Sequence, residues 1–341
     1  MAVPGGGPMK RLTSRRRLTI LDLASETHAA SFAEAVQAGL TAAPKSIPCR
    51  YFYDEEGSKL FEEICTLPEY YLTRAEAEIL RQRAGELVTH LPLGATLLEL
   101  GSGSAAKTRI IIEAFLDRQG TLRYMPIDLS PGMLEKSSRR MVEEYPGLEV
   151  RAVVGEYHHG LRRIREDSDT AKLILWLGSN IGNLHRLEAA AFLRQVRVGM
   201  RPEDRMLVGV DLRKDRAVLE RAYDDSRGVT ARFNLNLLAR INRELGGRFE
   251  PEHFRHSAVY AEEIGRIEMY LVSTRQQKVR VEALSLEVHF ANEERVHSEN
   301  SYKYCLAEID ALVSAAGFRL AARWLDRAGR FSVNLLAPGG G

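Results

Sequence analysis

Apolar positions along the chain change their period several times, and each change marks an element. Through TRAEAEILRQRAGELVTHL (73–91), Ile79, Leu80, Ala84, Leu87, Val88 and Leu91 recur at helical spacing and form one face. Thr73 and Glu76 stand three apart, the spacing of a capping box, so the helix is expected to begin there. It leads into ATLLEL (95–100), the first of a series of apolar runs. RYMPID (123–128), LEVRAVV (148–154), KLILWL (172–177) and RMLVGVD (205–211) follow, with helical segments between them. Apolar strands alternating with helices are what a parallel sheet covered on both faces requires, which predicts a doubly wound α/β domain.

The last stretch breaks this rhythm. A helix is expected over 301–316, followed by FRLAARWLD and FSVNLLA, two strands joined by a link (RAGR) so short that they should pair antiparallel. Between residues 216 and 292 lies a block with a helix, GVTARFNLNLLARINRELGG, and two alternating strands, IEMYLVS and VEALSLEVHF. With the first 70 residues it is expected to form a second, discontinuous α+β domain over the mouth of the sheet. The boundaries predicted are 18–73 plus 214–292 for this substrate-binding or lid domain, and 74–213 plus 293–337 for the sheet domain. The glycine-rich ends, 1–17 and 338–341, are expected to fray.

Charge removes some partners from consideration. Forty-eight basic against 46 acidic residues give a formal charge of +2, so neither nucleic acid nor an anionic membrane is the expected partner. Cys49, Cys65 and Cys305 are odd in number and lack CxxC spacing, which argues against a disulfide framework and a zinc site and fits a reducing cytoplasm. No signal-peptide pattern is present, and no run reaches the ~18 apolar residues needed to span a bilayer. The histidines show no HxH or HExxH spacing, so no metal is expected, and His158 and His159 read as loop residues.

Candidate chemistry starts at LLELGSGSAAKT (97–108), a glycine turn between a strand and a helix, where a ligand can approach backbone N–H groups. Gly101, Ser102, Gly103 and Lys107 belong to it. Glu99, two residues before the first glycine, would repel a pyrophosphate but suits a cationic ligand such as S-adenosylmethionine. Asp128, ending PIDLS, can accept both ribose hydroxyls, which serves NAD and S-adenosylmethionine equally. VVGEYHHG supplies Glu156 as an acceptor and Tyr157 as a wall for an adenine; a solvent-facing loop pair accounts for these two residues as well. An antiparallel strand pair closing a parallel sheet suits a class I methyltransferase better than a dehydrogenase, so the expected cofactor is S-adenosylmethionine.

Further stretches extend the picture. IPCRYFYDEEGSKLFEEICTLPEYYLTRAEAEIL, LELGSGSAAKTR, PIDLSPGML, LGSNIGNL, AYDDSRGVTARFNLN and the ENS of HSENSYKY together resemble the L-histidine Nα-methyltransferases of ergothioneine biosynthesis, in the family's order over about residues 45–337. The resemblance implies a class I Rossmann-like domain with a seven-stranded, mostly parallel sheet and a separate substrate domain. It also implies three methyl transfers to the α-amino group of histidine, giving hercynine; a closed pocket between two domains makes a monomer sufficient for this. By motif position Tyr70, Asn183 and Tyr223 hold the amino acid, Met269, Glu299 and Ser301 surround its side chain, and Tyr53 and Phe61 line the entrance or the amine end. Tyr53, Asn183 and Tyr223 are the catalytic candidates. Two departures stand out: Glu156 and Tyr157 occupy positions where the family usually carries aspartate and phenylalanine, and Leu72 stands where proline is common.

These residue types fit the chemistry. A neutral imidazole offers one donor and one acceptor, so a carboxylate and a hydroxyl can read its two edges, and Glu299 and Ser301, two apart, point to one side of an extended stretch. Each also has a plainer reading: ENS as a helix N-cap, GSNIGNL as a strand-end loop, Tyr223 as a helix-start aromatic, Met269 as core filling. Other functions in view are an N-methyltransferase for a tryptophan derivative, an NAD-dependent oxidoreductase, and a silent S-adenosylmethionine-binding module.

Overall fold

The computed structural model describes residues 11–15, 17–23, 28–157, 159–161 and 170–339. In chain order its strands are β1 Arg11–Arg15, β2 Leu18–Asp22, β3 Lys45–Ser46, β4 Thr96–Leu100, β5 Leu122–Asp128, β6 Leu148–Val154, β7 Lys172–Trp176, β8 Arg205–Asp211, β9 Phe254–Ala261, β10 Arg266–Ser273, β11 Gln277–Val281, β12 Leu286–Phe290, β13 Arg295–Tyr302, β14 Phe318–Leu325 and β15 Phe331–Pro338. The five expected core strands are all present. They run parallel in the order β6-β5-β4-β7-β8, and β15 and β14 close that side antiparallel. β4 and β7 are buried along their whole length, which is why they read as apolar runs but for Thr96 and Glu99 in β4 and Lys172 at the start of β7. The chain winds outward from β4 in both directions, so the order switches between β4 and β7. The carboxyl ends at that switch frame the crevice where such sheets take ligands.

The sheet is larger than the seven strands expected. β2 pairs parallel with β6 and β1 pairs antiparallel with β2, making nine. Leu18 and Ile20 are buried between exposed or half-buried neighbours, so β2 carries a short alternating apolar signal. It covers β6, which would otherwise present an unpaired edge. Residues 11–15, expected to belong to a frayed tail, are thus a strand, and 18–22 belong to the main sheet rather than to a substrate domain; residues 1–10 lie outside the described part, as do 340–341 of the other expected tail.

A second sheet, β3-β13-β10-β9, stands apart from the first, with β11 and β12 forming a separate hairpin. VEALSLEVHF is therefore not one strand. Its middle turns through Glu282–Leu284, with Ser285 at φ +49°. The helix expected from 301 begins at Leu306, because Ser301 and Tyr302 are still in β13, hydrogen-bonded to β10. Cys305 caps that helix, its N–H donating to Glu308 over 2.8 Å. Since β13 belongs to the second sheet, the expected boundary at 292/293 moves past Tyr302.

Two helices help to build the site. Leu72–Thr89 carries the predicted face, but it starts without a side-chain cap and Glu76 turns into the protein. Val229–Leu245 is capped by Asp225, whose carboxylate accepts from the N–H groups of Val229 and Thr230, and ends at Gly246 with φ +63°. No helix among the described residues is long and apolar enough to cross a membrane.

Candidate active site

The glycine turn after β4 is tied down by backbone bonds. Gly101 and Gly103 adopt φ of +76° and +51°, values that favour glycine. Gly101 N–H donates to Ile127 O at 2.8 Å, and Gly103 N–H to Asp128 Oδ2 at 2.8 Å. Asp128 Oδ1 accepts from Ser130 N–H at 2.9 Å, so this carboxylate knits the ends of β4 and β5 together. Burial raises its pKa, and the N–H donors oppose that. A Cβ on Gly101 would lie 3.0 Å from both Asn180 Nδ2 and the Tyr157 hydroxyl. The structure therefore brings Gly101, Asp128 and Tyr157 together and adds Asn180. Tyr157 packs edge-on against Trp176, and Glu156 N–H donates to His159 Nδ1 at 3.0 Å. His158 lies outside the described residues.

Glu99 and Lys107 are both engaged by the protein. Glu99 is 3% exposed, and its two oxygens accept from Thr108 Oγ1, at 2.7 Å, and from the Tyr124 hydroxyl. Burial pushes its pKa up to about 7 against those bonds and the charge of Lys107. The carboxylate thus holds the helix Thr108–Gln119 beneath the turn. Lys107 pairs with Glu76, whose oxygens also accept from Gly178 N–H at 3.0 Å. Glu76, which the sequence suggested as part of a cap, is a fully buried strut between the helix Leu72–Thr89 and the ends of β4 and β7.

The second cluster stands on the other sheet. In the β10/β13 register Met269 faces Glu299 and Ile267 faces Ser301, so all four side chains project from one face. The N-cap reading of ENS is thereby excluded. Glu299 is half-buried and Ser301 buried. Burial lifts the Glu299 pKa to about 7, against the attraction of Lys303. Aromatic rings line the approach: Tyr53 meets Phe61 with centroids 5.6 Å apart, Phe61 meets Tyr70 at 6.3 Å, and Tyr70 meets Tyr223 at 6.1 Å. Phe233 packs against Tyr53 and Phe61 at 5.9 Å each, a contributor the sequence reading missed. Burial, then the negative charge of Glu299, keep Tyr53 a neutral phenol well above its ordinary range.

Behind this face lies a buried polar network. The Tyr223 hydroxyl is 2.8 Å from Ser301 Oγ, and Lys303 Nζ donates to both at 2.8 Å. Lys303 also pairs with Asp211 Oδ2 at 2.8 Å; Lys214 and the Tyr71 hydroxyl donate to Asp211 as well, at 2.6 and 2.9 Å. Burial works against the charge on Asp211, but the two lysines outweigh it and hold its pKa below the ordinary value. Tyr223 is fixed from the backbone side too: His256 Nε2 lies 2.8 Å from Tyr223 O, and Asn234 Nδ2 lies 2.9 Å from His256 Nδ1.

The two clusters meet through short bridges. Gly182 packs so tightly on β13 that a Cβ would sit 2.8 Å from Tyr302 O, which places Asn180 by the glycine turn and half-exposed Asn183 at the other end of the same short helix. GSNIGNL is therefore the joint between the two sheets rather than a free strand-end loop. Ser58 Oγ, on the helix Glu55–Thr66, lies 3.4 Å from Ser130 Oγ beside Asp128.

Known proteins place this architecture. The family described as "Histidine-specific methyltransferase, SAM-dependent" matches residues 32–338. A histidine N-alpha-methyltransferase from Mycolicibacterium smegmatis is 44% identical over 92% of this chain and 97% of its own length. One from Mycobacterium tuberculosis is 43% identical over 89% and 93%. Ergothioneine biosynthesis protein 1 of Neurospora crassa is 34% identical over 86% of this chain, which spans 33% of that larger protein. The chain belongs to the S-adenosylmethionine-dependent, histidine-specific methyltransferase family.

As a member of that family it takes S-adenosylmethionine as methyl donor, and the residues at the switch point fit that group. Ser102 Oγ is buried without a partner, Gly101 leaves open the approach that a Cβ would narrow, and the Asp128 carboxylate is held at the end of β5. For this methyltransferase, Asn180, Glu76, Phe233, His256 and Lys303 are the site-proximal residues that sequence reading did not single out. Asn180, Glu76, Phe233 and Lys303 sat in quoted stretches without being assigned a place in the site, and His256 lay outside them.

Proposed function

We propose that this methyltransferase transfers methyl groups from S-adenosylmethionine to the α-amino group of L-histidine, three times in succession, to give hercynine. The observation that carries the reading is Glu299 and Ser301 on one face of β13, opposite Met269 and beside Tyr223, at the end of an aromatic recess. Such a pair reads both edges of an imidazole: the carboxylate accepts from one ring N–H and the hydroxyl cluster donates to the other nitrogen. A ring lacking that N–H leaves Glu299 in its recess without a partner, at a cost of about 1–3 kcal/mol. Tyr70 and Asn183 complete the hold on the amino acid, and Tyr53 and Phe61 border its amine.

S-adenosylmethionine, when bound, supplies an electrophilic methyl on its sulfonium. The chain's part is alignment and dryness: a neutral amine attacks in line, the N–C bond forms as the C–S bond breaks, and the excluded water favours loss of the sulfonium charge. Burial keeps Tyr53 a neutral phenol, so it has no phenolate to offer as a base; the amine proton leaves by water beside it while the phenol oxygen accepts a remaining N–H. Each round replaces an N–H by a methyl and, after the last, leaves a fixed positive charge. The rings of Tyr53, Phe61, Phe233 and Tyr70 suit such a product through their π faces.

The test is competition: the protein, S-adenosylmethionine and an equimolar mixture of the common amino acids, read by mass spectrometry. Trimethylhistidine as the dominant product supports the reading. Methylation of another amino acid, or of none while the cofactor binds, overturns it.

A further inference from the structure

Lys303 has three N–H donors and three acceptors, each at 2.8 Å: Asp211 Oδ2, the Tyr223 hydroxyl and Ser301 Oγ. The side chain is fully buried. Its donors are all spent inside the protein, so it has nothing left with which to touch a ligand. What it decides is how two groups at the recess spend theirs. Tyr223 and Ser301 own two O–H protons between them, and the 2.8 Å contact between their oxygens uses one. Among the described residues the pair's further hydrogen-bond partner is the ammonium, which offers no acceptor. The second proton is therefore directed toward the recess.

We propose that Lys303 is a positioning residue for substrate selection: by donating to both Tyr223 and Ser301 it makes that pair deliver one O–H to the amino acid. The ligand atom received there is an acceptor, a carboxylate oxygen or an unprotonated ring nitrogen. A cationic group at the same point would face the Lys303 charge one atom behind the hydroxyls. Asp211 sets the ammonium in place and is itself held by Lys214 and Tyr71, so the arrangement draws on four separate parts of the chain. The inference rests on the histidine reading above and adds the element that fixes the polarity of one of its contacts.

The experiment compares the parent chain with Lys303→Met/Asp211→Asn, which removes the ammonium and the carboxylate that would otherwise be left without it. Calorimetry should show S-adenosylmethionine affinity within about twofold of the parent. The KM for histidine should rise about tenfold or more, the loss expected for one hydrogen bond to a charged group, with a smaller change in kcat. In a Ser301→Ala background the same pair of changes should add less than about threefold, because the effect travels through that hydroxyl. Lys303→Arg is the second probe: it keeps the charge but presents its donors in a planar fork that cannot serve three acceptors arranged around a single nitrogen, so it too should raise the histidine KM. An unchanged KM in either folded variant, or an undiminished penalty in the Ser301→Ala background, overturns the proposal. Parent turnover of histidine with a parental KM in the variants refutes Lys303 alone, whereas a parent chain that does not methylate histidine refutes the function and this inference with it.

Discussion

Replacing Glu299 by glutamine should make the ligand-free protein more stable at neutral pH and worse at using histidine. Burial in the recess lifts the Glu299 pKa from an ordinary 4.5 to about 7, with Lys303 pulling the other way. An acid whose folded pKa is raised favours the folded state while protonated. That contribution is complete below pH 4.5 and disappears as pH rises through 7. Across the window the loss grows by about 1.4 kcal/mol per pH unit, to about 3 kcal/mol at most, since a partly solvated side chain is screened. Glutamine has the shape without the charge. The stability difference between Glu299→Gln and the parent should therefore be flat below pH 4.5, widen between 4.5 and 7 in favour of the variant, and level off above. Urea unfolding at half-unit pH steps measures it directly, and parallel stability curves for the two proteins would refute the placement of this carboxylate. Binding should change in the opposite sense, because an imidazole N–H that met a carboxylate would meet a neutral amide: about 10–100-fold in kcat/KM for a charge-assisted bond worth about 1.5–3 kcal/mol.

Gly101→Ala should weaken S-adenosylmethionine binding about tenfold or more by calorimetry, since the residue sits at φ +76° and its Cβ would come within 3.0 Å of Asn180 and Tyr157. Glu76→Gln removes the partner of Lys107 and should lower stability by about 3 kcal/mol, read as a drop in Tm, with a loss of cofactor affinity as the turn loosens. His256→Leu leaves Tyr223 O and the Asn234 amide without their ring partner and should raise the histidine KM severalfold. Burial lowers the His256 pKa below its ordinary 6.5, so the pH profile of kcat/KM should retain its shape at neutral pH and above.

The core of the fold was legible because its strands are buried on both faces. β4 and β7 have no polar side to confuse with a turn, and the RAGR link forces β14 and β15 to be antiparallel neighbours. What escaped lies at edges and joints. β2 is five residues long, close to a glycine-rich stretch that suggests a tail, and its pairing with β6 and β1 makes it a strand. SYKY has the composition to start a helix, yet Tyr302 is claimed by pairing with Arg266 and Tyr304 by a bridge to Leu212. Tertiary pairing overrode local preference at both places.

The site divides along the same line. Groups that would face a ligand cluster in short motifs with recognisable spacing, so Asp128, Tyr157, Tyr223, Glu299 and Ser301 were all named from sequence. The groups that orient them are distant in the chain and chemically unremarkable there. Lys303 is two residues past Ser301 but 80 from Tyr223 and 92 from Asp211, and Glu76 is 31 from Lys107 and 102 from Gly178. A lysine in SYKY and a glutamate in a helical stretch read as solvated charges until the sheets are docked. Docking is also what gives them their strength: brought out of water, each charge must be matched by partners already in place, and that requirement locks the hydroxyls and N–H groups they touch into single orientations. The two sheets therefore do more than enclose a crevice. By burying Asp211, Lys214 and Lys303 at the seam, the fold converts the contact between its sheets into a fixed direction for the hydrogen bonds that meet the amino acid.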